Sequence, residues 1–239
     1  MRLDKCLSVQ ANLSRSQAAE LIRDGRVLLN NMTVKDPARQ IGEWDTMSLD
    51  GRAMQCGAVR HIMLNKPTGV LTAARDKKTR TVMDLLPPQY IRMKCMPAGR
   101  LDKDTEGLLL LTTDGVLAHR LLSPKRMVMK EYIATVTGRL DREDCDAFCE
   151  GVPLQDFTAL PAELKIKSSS DESSDAVVLI HEGKNRQIRR MFASRGHEVI
   201  ALRRIRIGPL HLDESLAPGE YRELTEDELT SLKEAVGLG

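Results

Sequence analysis

The chain has 239 residues, 41% hydrophobic and 29% charged, with a net charge of +2. That composition fits a folded globular protein of one large or two small domains and excludes a disordered or fibrous chain. No apolar run approaches membrane-spanning length and no basic segment followed by an apolar stretch opens the chain, so neither a membrane partner nor a secretory leader is expected. Aromatics are only 3%, so the core must be built from Leu, Ile, Val, Met and Ala. The five cysteines (Cys6, Cys56, Cys95, Cys145, Cys149) are odd in number, and none pair at metal-ligand spacing. Cys145 and Cys149 share one helix face and read as small buried apolar residues. The reducing cytoplasm is the expected compartment.

The first ~60 residues read as a unit of their own. Leu3, Cys6, Leu7 and Val9 stand near helical spacing. Ser14-Arg15-Ser16-Gln17 is a capping box opening a second helix, whose apolar face is Ala18, Ala19, Leu21 and Ile22. Gly25 ends that helix. Val27–Leu29 and Met32–Val34 flank Asn30-Asn31, a hairpin signal, and Thr46–Leu49 reads as another strand. Arg52–Arg60 has no period and reads as a linker, which places the domains at 1–58 and 59–239. A strand starts at His61 and breaks at Pro67. Val116–Leu122 and Arg142–Glu150 read as helices, and Glu131–Gly138 alternates as a half-buried strand does. Ser168–Asp175 reads as a polar loop before a strand at Ala176–His181. Arg186–Arg195 reads as a basic helix stopped by Gly196. This mixed order favours an α+β fold.

Charge is segregated. Residues 183–206 carry eight basic side chains against Glu198 alone, a net +7, whereas residues 213–234 carry −6. A polyanionic partner fits the first stretch, and so does a solvated surface strip. The segment Gly99-Arg100-Leu101-Asp102-Lys103-Asp104-Thr105-Glu106-Gly107 precedes the apolar run Leu108–Leu111. Basic neighbours at such a turn favour a charged carboxylate, and an ionised carboxylate can attack an electron-poor carbon. Structural turns use Asp and Gly as well. The five histidines are scattered without metal spacing, and no phosphate-binding glycine loop is present.

Four segments in register resemble the RsuA/RluB/RluE/RluF family of ribosomal RNA pseudouridine synthases. They are Asn65-Lys66-Pro67-Thr68-Gly69; Gly99-Arg100-Leu101-Asp102-Lys103-Asp104-Thr105-Glu106-Gly107-Leu108; Lys130-Glu131-Tyr132; and Glu182–Phe192. The resemblance implies a mixed, mainly antiparallel sheet with flanking helices. It implies catalysis by Asp102 as nucleophile, Tyr132 against the target base and Arg189 paired with Asp102. Ile188 would pack beneath the base, and Arg100, Lys66, Asn185 and Arg186 would join substrate binding. The first module is similar to the small α-L RNA-binding domain of ribosomal and RNA-modifying proteins, through residues 1–5 and 14–18, Ile22–Gly25 and Val27. That likeness implies RNA contacts by Arg2, Lys5, Arg15, Arg23 and Arg26, which would position the backbone without reading sequence. The reaction is an isomerisation, so no cofactor and no metal are expected.

The opening Met1–Lys5 and closing Ala217–Arg222 resemble a small-subunit member of the family. The expected partner is therefore 16S ribosomal RNA within an assembling small subunit, met by a monomer. A 23S site, or a non-catalytic RNA-binding assembly factor of the same fold, are the alternatives. A carboxylate-dependent hydrolase lacks a second acid with an evident partnering role.

Overall fold

The computed structural model describes residues 1–42, 45–55 and 59–239. It divides into two compact units, residues 1–60 with 87–95, and residues 61–86 with 96–239.

The first unit opens with α1 (Leu3–Gln10) and α2 (Arg15–Arg23). The Gln17 amide donates to Ser14 Oγ at 3.2 Å, and the Ser14 amide donates to Gln17 Oε1 at 2.9 Å, so the capping box forms as its spacing predicts. At the other end Gly25 has φ +75°, its N–H reaches Ile22 O and that of Arg26 reaches Leu21 O. That is a Schellman cap, which a Cβ would strain. Strands β1 (Val27–Leu29) and β2 (Met32–Thr33) meet at Asn30 and Asn31, both at positive φ, as a type I′ turn requires. They continue into β3 (Thr46–Leu49) and β4 (Arg52–Gln55), in the sheet order β2-β1-β3-β4.

Strand β4 corrects the linker reading. Arg52–Gln55 pairs with β3 across Asp50-Gly51, another pair at positive φ. The remainder of that stretch includes 56–58, and with it Cys56, which lie outside the described residues. Leu3, Leu7, Ala18, Ile22, Val27 and Met47 form this unit's core. The segment 87–95, with α3 (Pro88–Arg92), groups with it.

The second unit is built on one large sheet. Its strands are β5 (His61–Lys66), β6 (Met96–Pro97), β7 (Glu106–Thr112), β8 (Lys130–Thr137), β9 (Glu163–Ser169), β10 (Ser173–Ile180), β11 (Val199–Ile207), β12 (Leu210–His211) and β13 (Tyr221–Glu223). The order is β13-β5-β7-β11-β8-β10-β9, with β6 beside β7 and β12 beside β11. Strands β7 and β11 run parallel while the remaining described pairs are antiparallel, which is the mixed, mainly antiparallel sheet of an α+β fold. Four helices accompany it: α4 (Gly115–Leu122), α5 (Arg142–Glu150), α6 (Gln187–Ser194) and α7 (Glu226–Ala235).

The apolar centres of β5 (Ile62–Leu64) and β7 (Leu108–Leu111) do not alternate because both are interior strands, buried along almost their whole length. Met63, Leu108, Leu110 and Ile207 pack with Leu117 and Leu121 of α4, Leu232 of α7 and Val236 just after it. Phe148 of α5 meets Phe192 of α6 with ring centroids 4.9 Å apart. One row of cross-strand partners runs Lys66, Gly107, Arg204, Tyr132, Val178. It crosses five strands and sets the site.

Two further sequence expectations are corrected here. On α5 the inward residues are Asp144 and Phe148, four apart, so Cys145 and Cys149 are rotated off the core; the first is half-buried and the second exposed. The serine-rich run is mostly ladder, with β9 ending at Ser169 and β10 starting at Ser173. Its polar side chains bond across strands: Ser168 Oγ and Thr135 Oγ1 both donate to the Asp175 carboxylate, at 2.9 and 2.7 Å.

Candidate functional site

Asp102 lies on the loop that enters β7. The Thr105 amide donates to Asp102 O at 3.1 Å, so the loop turns back on itself at Lys103-Asp104. Residues of the 65–72 segment clamp this turn. Thr72 Oγ1 donates to Leu101 O at 2.8 Å, and the Gly69 amide donates to Lys103 O at 2.8 Å. The Lys66 ammonium donates to Thr105 O at 2.8 Å, Pro67 O at 3.0 Å and Lys103 O at 3.4 Å.

Lys66 is fully buried, which corrects its expected role in substrate binding. It touches the loop from inside and does not line the cavity described below. Burial pulls its pKa down to about 8, against the opposing pull of Asp104, Asp102 and Glu106. In the unfolded chain it regains its ordinary value near 10.5. The unfolded state therefore holds more protons than the folded one between pH 8 and 10.5, and Lys66 makes the fold more stable as pH rises through that window. Lys66→Met removes these bonds but also the cost of burying a charge, so its deficit at pH 7 is expected to stay below about 1 kcal/mol. The deficit relative to wild type should widen from pH 8 to 10.5, as urea denaturation at several pH values would read. A pH-independent difference would remove the linkage.

Asp102, Tyr132 of β8, and Ile188 and Arg189 of α6 line one open cavity of about 350 Å³, together with Arg100, Asn185 and Arg186. Tyr132 is 7% exposed and Ile188 4% exposed, so both stand as walls rather than as free surface groups. Four basic side chains, those of Arg100, Lys184, Arg186 and Arg189, line the cavity with one acid, Asp102. Two buried polar atoms of its lining residues, Thr105 Oγ1 and Arg189 Nε, have no partner among the described residues. A ligand that supplied acceptors to them would remove that cost.

The expected pairing of Arg189 with Asp102 is corrected. Arg189 Nη2 donates to Asp104 O at 3.0 Å and sits 3.4 Å from the Asp104 carboxylate, while Nη1 donates to Val199 O at 2.8 Å. Arg186 reaches the same carboxylate at 3.1 Å. The cause is the turn: an extended segment would put Asp102 and Asp104, two apart, on one face, whereas the folded-back loop separates them and presents Asp104 to α6. Partial burial would raise the Asp104 pKa, but the Arg186 hydrogen bond and the Arg189 charge outweigh it and hold the carboxyl below its ordinary value. The Asp102 carboxylate makes no hydrogen bond or ion pair among the described residues and faces the cavity.

Several contributors escaped the sequence reading. Gln187 is almost fully buried and closes the 182–187 loop, donating from Nε2 to Glu182 Oε1 at 2.6 Å and accepting the Lys184 amide at 3.0 Å. Arg186, already expected at the substrate, takes an unforeseen left-handed conformation at the start of α6. The Lys184 ammonium lies 3.5 Å from the centroid of the Phe157 ring, from a separate loop. The +7 stretch is also less free than its sequence suggests. Asp104, Asp144, Asp156 and Glu131 pair with Arg186 and Arg189, Arg195, Arg190 and Arg206 respectively.

In the N-terminal unit, Arg2 and Arg15 converge on the Asp4 carboxylate at 2.8 and 2.9 Å, and Arg26 pairs with Asp50. All three arginines remain about half-exposed, while Lys5 and Arg23 are exposed. The hydrogen bond from Arg2, with Arg15, holds the Asp4 carboxyl below its ordinary value despite burial. Among the described residues no cluster of His, Cys, Asp and Glu could hold a metal ion, and no helix is long and apolar enough to cross a membrane.

Residues 60–194 match the RNA pseudouridylate synthase family and residues 1–46 match the S4 domain. The chain is 41% identical to an uncharacterized RNA pseudouridine synthase of Bacillus subtilis, over 98% of this chain and 99% of that one. It is 38% identical to the ribosomal small subunit pseudouridine synthase A of Vibrio cholerae, over 97% and 99%, and 39% identical to that of Yersinia pestis, over 97% and 98%. A crystal structure of a pseudouridylate synthase superposes with a TM-score of 0.69 at 36% identity, covering 97% of this chain and 99% of that one. With a family match over more than half its length and relatives aligned from end to end, this chain belongs to the RNA pseudouridylate synthases and carries an S4 domain at its N-terminus.

Proposed function

We propose that the protein converts one uridine of 16S ribosomal RNA to pseudouridine, with Asp102 as nucleophile. The observation that carries this reading is the convergence of Asp102, Tyr132, Ile188 and Arg189 on one cavity from three separate stretches of chain. The reaction breaks the bond from ribose C1′ to uracil N1 and forms one from C1′ to C5. The C5 proton leaves and N1 gains one, so the product is an isomer. A carboxylate bonded to the carbon left electron-poor, on sugar or ring, would hold the intermediate while the base turns.

The uridine must leave its stack to reach Asp102, which costs a few kcal/mol and is cheapest in loops. Tyr132 and Ile188 offer the flat and the aliphatic wall for the extruded base. Thr105 Oγ1 and Arg189 Nε offer polar contacts to its ribose or carbonyls. Arg100, Lys184, Asn185 and Arg186 would meet the flanking backbone. Arg2, Lys5, Arg15, Arg23 and Arg26 of the S4 domain would add contacts that position RNA and weaken with salt.

The small-subunit assignment is supported by relatives that carry the name ribosomal small subunit pseudouridine synthase A and align over nearly the whole chain. Its test is a map of pseudouridines in 16S and 23S ribosomal RNA from a strain lacking the gene. One 16S mark should vanish and return on complementation with the wild type but not with Asp102→Asn. Loss of a 23S mark alone would overturn the 16S assignment, and an unchanged map would favour a non-catalytic RNA-binding role.

A further inference from the structure

A second cavity of about 270 Å³ adjoins the first, and Arg100, Tyr132, Gly183 and Lys184 line both. Leu121, Met127 and Leu160 contribute apolar walls, and Lys130, Glu182 and Arg204 contribute polar groups. Drug-sized ligands occupy pockets from about 300 Å³ upward, so this one suits a single heterocycle.

Arg204 is the unusual member. It is 3% exposed, its Nε donates to Leu108 O at 2.8 Å, and its Nη2 is buried without a partner. It has no carboxylate partner among the described residues, and its guanidinium lies 6.0 Å from the centroid of the Tyr132 ring. A buried guanidinium held by one hydrogen bond is costly unless something else satisfies it. Its neighbour Lys130 donates to Val128 O at 2.9 Å, and burial, with the Arg204 charge, lowers its pKa to about 8. Glu182 Oε1 is already engaged by Leu160 N–H and Gln187 Nε2, while Oε2 has only a long ion pair to the Lys184 ammonium at 3.9 Å and keeps room to accept from a ligand.

We propose that this second cavity takes the guanine of a nucleotide next to the target uridine, read at O6 and N7 by Arg204. Guanine places two acceptors side by side, the pattern an arginine fork matches, and no other base does so on that edge. Glu182 would accept from the N–H groups on its other side. Two cavities that share Tyr132 suit two consecutive nucleotides of one unstacked strand. The reading rests on the RNA-modifying role proposed above.

The test titrates the full-length protein, carrying labelled methionine methyl groups, with guanosine 5′-monophosphate, its 7-deaza analogue, adenosine 5′-monophosphate and inorganic phosphate. The Met127 methyl, assigned through Met127→Leu, reports from the cavity wall. The guanosine nucleotide should shift it, with the 7-deaza analogue at least about 10-fold weaker. Adenosine nucleotide and phosphate should leave it in place, and Leu160→Trp, which fills the cavity from a half-exposed position, should abolish the shift. Equal response to phosphate would make this an anion site, and equal response to the adenosine nucleotide would remove base selection; either overturns the proposal. Turnover of ribosomal RNA is read separately. An active enzyme whose Met127 ignores the guanosine nucleotide loses the second site alone, whereas an inactive one that responds keeps the site and loses the reaction.

Discussion

Asp102→Asn is expected to lower uridine isomerisation by about 10⁴-fold or more while RNA affinity stays within about 3-fold. The expected separation of these effects comes from the surroundings of Asp102. Its carboxylate supports no other group among the described residues, and the clamps on its loop all act on backbone atoms: Thr72 on Leu101, Gly69 and Lys66 on Lys103, and Lys66 on Thr105. Asparagine has nearly the same shape, so the turn persists and only the carboxylate's charge is lost. Release of tritium from uridine labelled at C5 measures the chemical step, since the C5 proton must leave.

The control is Asp104→Asn. It removes the ion pairs to Arg186 and Arg189 and loosens the loop against α6. Its cost should be about 10-fold, the scale of a positioning contact. If Asp104→Asn abolishes tritium release and Asp102→Asn does not, the nucleophile is Asp104.

How much of this was legible in the sequence depended on whether the signal was local. The Ser14–Gln17 box, Gly25 and Asn30-Asn31 each encode one turn through a cap or a positive φ, and each forms as expected. Asp50-Gly51 carries the same signal, yet the strand after it has no clean alternation and was hidden. The α5 cysteines show the limit of periodicity, because a shift of one residue around the helix moves them off the core while the spacing stays the same. Family likeness placed Asp102, Tyr132 and Ile188 around one cavity. It did not foresee which guanidinium meets which carboxylate. That depends on the turn at Lys103-Asp104 and on clamps from residues 29 to 39 positions earlier. Arg204 was counted as one of eight surface charges, whereas its pairing opposite Tyr132 and Gly107 buries it. Nothing within its own segment distinguishes it from Arg203.

Gly107→Ala is expected to destabilise the protein by on the order of 4 kcal/mol. Gly107 is the second residue of β7, in the short stretch where that strand pairs in parallel with β11. Its φ of +100° lies where an L side chain is strained. Space is the larger problem. A Cβ built there would collide with the carbonyl oxygen of Arg204 and lie 2.9 Å from the Arg204 amide nitrogen. Both are backbone atoms of a central strand, so no side-chain rotation can make room. To accept the methyl, β7 and β11 must part where Lys66, Gly107, Arg204 and Tyr132 form one row, with the loop carrying Asp102 just before it. Activity should therefore fall together with stability, unlike in Asp102→Asn. Guanidinium denaturation followed by circular dichroism gives the free energy. Gly69→Ala provides the comparison, since Gly69 also has positive φ, +82°, but a Cβ there meets nothing within 4 Å. Strain alone should cost Gly69→Ala about 1–2 kcal/mol. If the two variants lose the same stability, backbone conformation rather than the approach of β11 is what requires glycine at position 107.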